Sequence, residues 1–158
     1  MVVPAITYKD EIIQKIQKLY YSEDMMFLCG CLDNWVPNIE ICPDGSRIQL
    51  AIINDSNTLI GYLGYSIDWY SSCAYNFGVV SFVKGNILVG KALFDELEKL
   101  INEYKLHRIE LRMIGGNPIE KHYDSFCKKY NGTKHVLRDV FRDKQGNYHN
   151  DNIYEIIM

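Results

Sequence analysis

The stretch NFGVVSFVKGNILVGKALFDELEKLI, residues 76–101, decides the fold of this chain. It begins as an apolar, β-branched strand, passes through a loop that contains glycine, and ends as an amphipathic helix. The first N–H groups of such a helix point outward at its positive dipole end. The loop between Lys84 and Gly90 is therefore predicted to hold phosphates, as in a nucleotide-like cofactor.

Strand, loop and helix also occur in this order in many proteins that bind no phosphate, so the two interpretations stay open at this point. Gly85 and Gly90 are present, but the loop does not end in glycine and lysine followed by serine or threonine. The glycine pattern of dinucleotide-binding loops is also absent. The sequence thus supports neither a nucleoside triphosphate loop nor a dinucleotide-binding fold.

Length and composition bound the class of protein. The 158 residues, 47% hydrophobic and 13% aromatic, suit one domain over residues 1–158. A net charge of -3 argues against a nucleic-acid partner, which normally requires a basic surplus. No run reaches the roughly 18 apolar residues that cross a bilayer, and no basic leader precedes a hydrophobic stretch. We expect no membrane partner and a cytoplasmic location.

Cysteine usage indicates neither disulfides nor a metal. The five cysteines are an odd number and contain no CxxC pair. This pattern is typical of reduced thiols, so no metal site is predicted.

Hydrophobic periodicity and turn residues predict the other elements. Two helices come first, followed by a hairpin, a strand, a third helix, another strand, a fourth helix and a final hairpin. The predicted bounds are a helix from about Thr7 to Tyr21, a helix from Ser22 to Pro37, a loop over 38–46, paired strands 48–54 and 58–67, a strand over 75–83, a helix with an apolar stripe from Leu93 to Tyr104, a strand over 107–113, a helix opened by Asn117 and Pro118, and strands 134–142 and 148–157. Because a helix connects them, strands 75–83 and 107–113 are predicted to be parallel.

This order of elements, together with the closing segment HVLRDVFRDKQGNYHNDNIYEII, resembles the GNAT acyl-CoA N-acetyltransferases along the whole chain. In that family an arginine-bearing strand leads to an aspartate and glycine turn and then to an aromatic-rich strand. The resemblance implies an α+β fold with a mixed sheet of six to seven strands, a β-α-β crossover and about four helices. It also implies that acetyl-CoA donates an acetyl group to a primary amine.

The resemblance places acetyl-CoA between strands 75–83 and 107–113, with its pyrophosphate on the loop before Gly90. The family loop has glutamine or arginine, two residues, glycine, one residue, and then glycine or alanine. Gly90 matches the last position, whereas Leu88 and Gly85 depart from the other two. The residues implied for the cofactor are Val80, Phe82, Gly85, Asn86, Ile87, Leu88, Val89, Gly90, Lys91 and Asn117.

Catalytic roles also come from the resemblance. Tyr123, six residues after Asn117, matches the family's general acid, although it equally fits an aromatic on the apolar face of a helix. Residues 74–83 lack the acid that relatives often carry on this strand. Asp68 is the candidate base in its place, although Asp68 also fits the role of a surface turn residue.

The acceptor is predicted to lie near Trp35, Trp69 and Tyr70, which offer aromatic surface but no specific chemistry. A small molecule or a peptide amine fits equally, and both monomer and homodimer stay open. The departures at Leu88 and Gly85 and the missing base leave one alternative, a catalytically inactive GNAT-like binding or regulatory module.

Overall fold

The computed structural model describes residues 1–20, 22 and 36–158. Most of the predicted second helix, residues 23–35 with Trp35, lies outside these residues. Within them the chain forms seven strands, which are β1 (Val2–Pro4), β2 (Arg47–Ile53), β3 (Leu59–Asp68), β4 (Cys73–Ser81), β5 (Arg108–Ile114), β6 (Thr133–Arg142) and β7 (Tyr148–Ile157). The helices are a short 3-10 helix (Ala5–Tyr8), α1 (Lys9–Tyr20), α2 (Ile87–Asn102) and α3 (Glu120–Lys129). No helix of the described ranges is long and apolar enough to cross a membrane.

All seven strands form one mixed sheet in the order β1-β2-β3-β4-β5-β7-β6. Every neighbouring pair is antiparallel except β4 and β5, which are parallel. The predicted parallel pair and the predicted hairpins are therefore confirmed. β1 was not predicted, because three residues ending in Pro4 are too short to show an alternating pattern.

Helices cover both faces of the sheet. The apolar stripe of α2, which includes Leu93, Leu97 and Leu100, packs with buried residues of β3, β4, β5 and β7 into the larger core. On the other face, Ile12 and Ile16 of α1 pack against β2, β3 and Val80 of β4. The buried residues of α1 and α2 recur with the helical period of 3.6 residues, which explains why the sequence pattern located these helices.

β4 and β5 separate soon after they meet. Their only paired residues are Cys73 with Arg108 and Ala74 with Ile109. The pairing register between β3 and β4 then shifts. Gly64 pairs with Gly78 and Ser66 pairs with Tyr75, so one residue between the pairs on β3 lies opposite two residues on β4. This extra residue is a β-bulge in β4, and Asn76 within it has a φ of +55°. The bulge marks the point beyond which the two strands diverge.

Candidate active site

A cleft of about 450 Å³ fills the space between the diverging strands β4 and β5. α2 and the start of α3 form its other walls. Its lining residues are Phe77, Val79, Ser81, Lys84, Gly85, Asn86, Val89, Gly90, Leu93, Arg112, Met113, Gly116, Asn117, Pro118, Ile119 and Tyr123. The cleft thus unites the β4-α2 loop and the α3 residues that the sequence singled out.

On β4 the residues that line the cleft are Phe77, Val79 and Ser81, and the predicted Val80 and Phe82 are not among them. Successive side chains of a strand point to opposite faces. Val80 is fully buried in the core around α1, and Phe82 packs against the same core. The side chains of Val80 and Phe82 thus lie outside the described lining, and their contact with a cofactor stays a prediction.

The outer end of the cleft is the β4-α2 loop, and it is shorter than predicted. Asn86 caps α2, because its side-chain Oδ1 accepts a hydrogen bond of 2.9 Å from the N–H of Leu88. Ile87 is the first helical residue, so residues 87–90 form the first helical turn rather than a loop. Gly85 has a φ of +70°, and no atom lies within 4 Å of the place where a Cβ would sit.

Three predicted cofactor residues lie on the first turns of α2 but do not line the cleft. Ile87 is 83% exposed and Leu88 is 42% exposed. Leu88 has a helical conformation, so the residue that departs from the family pattern neither strains the turn nor blocks the cleft. Lys91 forms an exposed ion pair with Asp95, one helical turn later.

Gly90 brings α2 close to the residues before α3. A Cβ at this position would lie 3.5 Å from Cδ1 of Ile119, which is ordinary van der Waals contact. Gly90 has no positive φ. It is thus the small wall residue between Val89 and Ile119, both of which line the cleft.

The charged side chains in the described lining of the cleft are cationic. Lys84 and Arg112 are its charged lining residues, and no Asp, Glu or His lines it among the residues that the structure describes. Arg112 donates from Nη2 to Oδ2 of Asp151, whose side chain is fully buried. Most of the remaining wall is apolar, so the cleft matches a ligand with an uncharged stem and an anionic end.

Tyr123 stands on α3 and lines the cleft together with Asn117. Its side chain is only 6% exposed, and its ring contacts Phe94 edge-on at 5.8 Å and Tyr154 at 5.6 Å between centroids. Tyr123 is therefore both an aromatic residue on the apolar face of α3 and a residue of the cleft lining. Asn117 also accepts a bond of 3.1 Å from the N–H of Ile119 and so shapes the turn that precedes α3.

A network of charged residues supports α3 behind the cleft. Lys134 donates to Glu120 and to Asp124, each at 2.8 Å, and these hydrogen bonds are the main cause that lowers the pKa of both carboxyl groups. Asp124 also accepts from the hydroxyl of Tyr154 at 2.7 Å. Glu120 accepts from the N–H of Gly116 at 2.8 Å, which fixes the loop between β5 and α3.

Asp68, Trp69 and Tyr70 lie at the turn between β3 and β4, away from the cleft lining. Asp68 accepts hydrogen bonds from the N–H groups of Tyr70 and Ser71 and from the Ser71 hydroxyl, and the Ser71 side chain is the main cause that lowers its pKa. This is a turn residue. The cleft begins beyond the bulge of β4, whereas Asp68 pairs with Cys73 at the opposite end of that strand.

Sequence reasoning did not assign several lining residues. Alternation along β4 contains a signal for Val79 and Ser81, and alternation along β5 contains one for Met113, but the phase of β4 depends on the bulge. Arg112 belongs to the polar face of β5, and its access to the cleft follows from the separation of the strands. No group of three or more potential metal ligands occurs in the described part of the chain.

Solved acetyltransferases share this architecture. The spermidine/spermine N-acetyltransferase SpeG from Vibrio cholerae, solved with manganese ions, aligns with a TM-score of 0.57 at 18% identity, covering 73% of this chain and 67% of that chain. A probable acetyltransferase aligns with a TM-score of 0.54 at 19% identity, covering 72% of this chain and 63% of that chain. The chain has the GNAT fold.

The GNAT fold is therefore established by structure rather than by sequence. No protein family model matches the chain, and no curated protein sequence is significantly similar to it. The predicted α+β architecture with its mixed sheet is confirmed, with seven strands in the described residues. Identities of 18–19% carry no information on substrate, so the function has to be inferred from the cleft.

Proposed function

We propose that this protein transfers an acetyl group from acetyl-CoA to an amine. The observation that carries the proposal is the cleft between β4 and β5, which has a cation and a helix N-terminus at its outer end and Tyr123 in its wall. The neighbouring structures with the same GNAT fold include N-acetyltransferases, which supports this class of reaction.

The outer end of the cleft fits the phosphates of a coenzyme A molecule. Lys84 supplies a charge there, and the open space above Gly85 allows close approach to the backbone. The first N–H groups of α2 add the positive end of the helix dipole, although the side chain of Asn86 already occupies the N–H of Leu88. The phosphate site does not require the side chain of Leu88.

The middle of the cleft fits an uncharged arm. Phe77 and Val79 of β4 face Met113 of β5 across the gap, and Leu93 of α2 forms the base. The separated strands also leave backbone groups that have no partner strand beyond Ala74 and Ile109. An amide-containing chain that lies along β4 would satisfy such groups.

Acetyl-CoA supplies the chemistry as an activated thioester. In the proposed reaction the amine nitrogen forms a bond to the thioester carbonyl carbon, and the carbon–sulfur bond breaks. Tyr123 donates its hydroxyl proton to the departing sulfur. The nitrogen that forms the amide loses one proton to solvent, because no carboxylate or imidazole lines the cleft among the described residues, and solvent returns a proton to the Tyr123 tyrosinate.

Two measurements test the proposed function. Acetyl-CoA should raise the melting temperature, since a ligand that binds only the native state stabilises it by mass action. Release of free CoA thiol should then be detectable with a broad panel of amines. Binding without any transfer would support the inactive module instead, and no thermal shift at millimolar acetyl-CoA would reject the proposal.

A further inference from the structure

We propose that Arg112 binds a carboxylate of the acceptor, so that the acceptor is an amino acid or another amine that carries a carboxylate. This inference rests on the proposed function and specifies its substrate class. It follows from where Arg112 lies along the cleft, which face of the sheet it occupies, and what holds it there.

Arg112 lies at the inner end of the cleft. From the pair Ala74 and Ile109, three further residues of β5 lead to Arg112, which is level with about Gly78 because the bulge adds one residue to β4. β4 continues for three more residues to Ser81, which is about 10 Å at 3.3 Å per residue. Lys84 lies beyond that point. The two cations therefore mark opposite ends of the cleft, and the phosphates and Arg112 are far apart.

Arg112 also belongs to the face of the sheet that is opposite to α2 and α3. Its neighbour Met113 is buried in the core below α2, whereas Arg112 is a polar residue on the alternate face, beside Asp151. Residues from both faces of β5 thus line one cleft. Because residues of both faces line this cleft, an acceptor held by Arg112 would lie beside a thioester bound in it.

Asp151 holds the guanidinium of Arg112 in this position. The Asp151 side chain is fully buried, whereas that of Arg112 is 46% exposed. One carboxylate oxygen of Asp151 accepts from Arg112, and Oδ1 has no hydrogen-bond partner among the described residues. A guanidinium has five donors in a planar fork that fits a carboxylate with two parallel hydrogen bonds. The buried Asp151 thus orients the guanidinium, and the partial exposure of the Arg112 side chain allows a carboxylate to approach it.

The described lining of the cleft offers little to a substrate that carries only amines. Glu110 and Glu155 share the guanidinium of Arg108, and neither of them lines the cleft. Asp151 is buried against Arg112. Among the described residues no carboxylate lines the cleft, so a polyamine would meet the cation of Arg112 there without an anionic partner, and like charges disfavour such a substrate.

The test is an acetyl-transfer assay on matched acceptors. The panel contains the twenty L-amino acids, the corresponding amino-acid amides, putrescine, cadaverine, spermidine and spermine, with products identified by mass spectrometry. We expect at least one amino acid to react with a kcat/KM at least tenfold higher than that of its amide, which lacks the carboxylate. Preference for an amide or a polyamine, or no turnover with any amino acid, would overturn the inference.

Variants assign the preference to Arg112. Arg112→Gln should remove the preference for the acid over the amide while the affinity for CoA changes less than threefold. Arg108→Gln is the matched control, because Arg108 lies on the same strand and face, has two carboxylate partners and does not line the cleft. It should leave the preference unchanged. A preference that survives in Arg112→Gln, or that disappears equally in Arg108→Gln, would contradict the role of Arg112.

Asp151 is a positioning residue in this account. Asp151→Asn should raise the KM for the amino acid with little change in kcat, since the fork loses its anchor but the reacting groups stay in place. An unchanged KM would contradict this role. Failure of the protein to bind CoA would reject the proposed function as a whole, whereas binding of CoA with turnover of polyamines alone would reject only the inference on the acceptor.

Discussion

Two glycines of the β4-α2 segment should respond to alanine in opposite directions. Gly85 has a φ of +70°, and a Cβ there would touch nothing, so the cost is conformational alone. The left-handed conformation costs about 1–2 kcal/mol for a residue with a Cβ. Gly90 is helical, and alanine in a helix interior is more stable than glycine by about 0.5–1 kcal/mol. The Cβ of Ala at position 90 would meet Ile119 at an ordinary 3.5 Å.

For a chain of this length, each kcal/mol shifts the melting temperature by about 2–4 °C. Gly85→Ala should therefore lower the melting temperature by about 2–8 °C, and Gly90→Ala should raise it by about 1–4 °C. Differential scanning calorimetry without ligand measures both, and urea unfolding gives the free energies independently. A Gly85→Ala variant as stable as the parent protein, or a Gly90→Ala variant that melts below it, would refute the backbone conformations assigned to the β4-α2 segment.

Three further changes test the cleft and its support. Tyr123→Phe should lower kcat by about 10²–10⁴-fold, because a general acid contributes that much, with the CoA affinity nearly unchanged. Lys84→Gln should weaken CoA binding about three- to tenfold, and less so in high salt, because it removes a charge at the phosphate end. Lys134→Met should lower the free energy of unfolding at pH 7 by roughly 1–3 kcal/mol, since Glu120 and Asp124 lose hydrogen bonds from a charged donor.

The last of these changes depends on pH with a defined sign. The folded-state pKa values of Glu120 and Asp124 are lowered from their ordinary values of 4.5 and 3.8, mainly by hydrogen bonds from Lys134. Their stabilisation is therefore present above those values and is lost as the pH falls through the lower folded pKa values. The difference between Lys134→Met and the parent protein should shrink below about pH 4.5. A difference that grows in acid would contradict this assignment.

Control variants separate chemistry from packing for Tyr123→Phe and Lys84→Gln. Tyr154→Phe removes a hydroxyl that donates to Asp124 in the same aromatic cluster as Tyr123. Its kcat should fall less than tenfold, and an equal loss in both variants would argue against Tyr123 as the proton donor. Lys91→Gln is the control for Lys84, because Lys91 pairs with Asp95 outside the cleft lining. It should leave CoA affinity unchanged.

The helices and the order of strands were predictable because their signals are local. The stripe from Leu93 to Leu100 and the alternation of Ile109, Leu111 and Met113 each recur at one period, and all these residues are buried in the core of the structure. The predicted hairpin over Asp55 to Asn57 was also correct, since turn residues separate two β-branched runs.

The phase of β4 was not predictable from its own sequence. The run GVVSFV is apolar on both faces, because α1 covers one side and the cleft and α2 lie on the other. The bulge at Asn76 then shifts the alternation, so that Ala74 and Phe77 share a face and Val79 follows them. A positive φ at a single asparagine leaves no periodic signal. The prediction therefore selected Val80 instead of Val79.

The acceptor side depends on tertiary relations that no local pattern encodes. Trp69 and Tyr70 were predicted near the acceptor because they are aromatic, but they are exposed and belong to the turn before β4. Arg112 sits in an ordinary alternating strand. It reaches the cleft only because β4 and β5 diverge and because Asp151, almost forty residues later, anchors it.

A crystal structure of the protein with CoA tests the central claim most directly. We predict density between β4 and β5, with the phosphates beside Lys84 and Gly85, the arm between Val79 and Met113, and the sulfur near Tyr123. Density for CoA at another site, or a cleft that stays closed by its own side chains at millimolar CoA, would contradict the account.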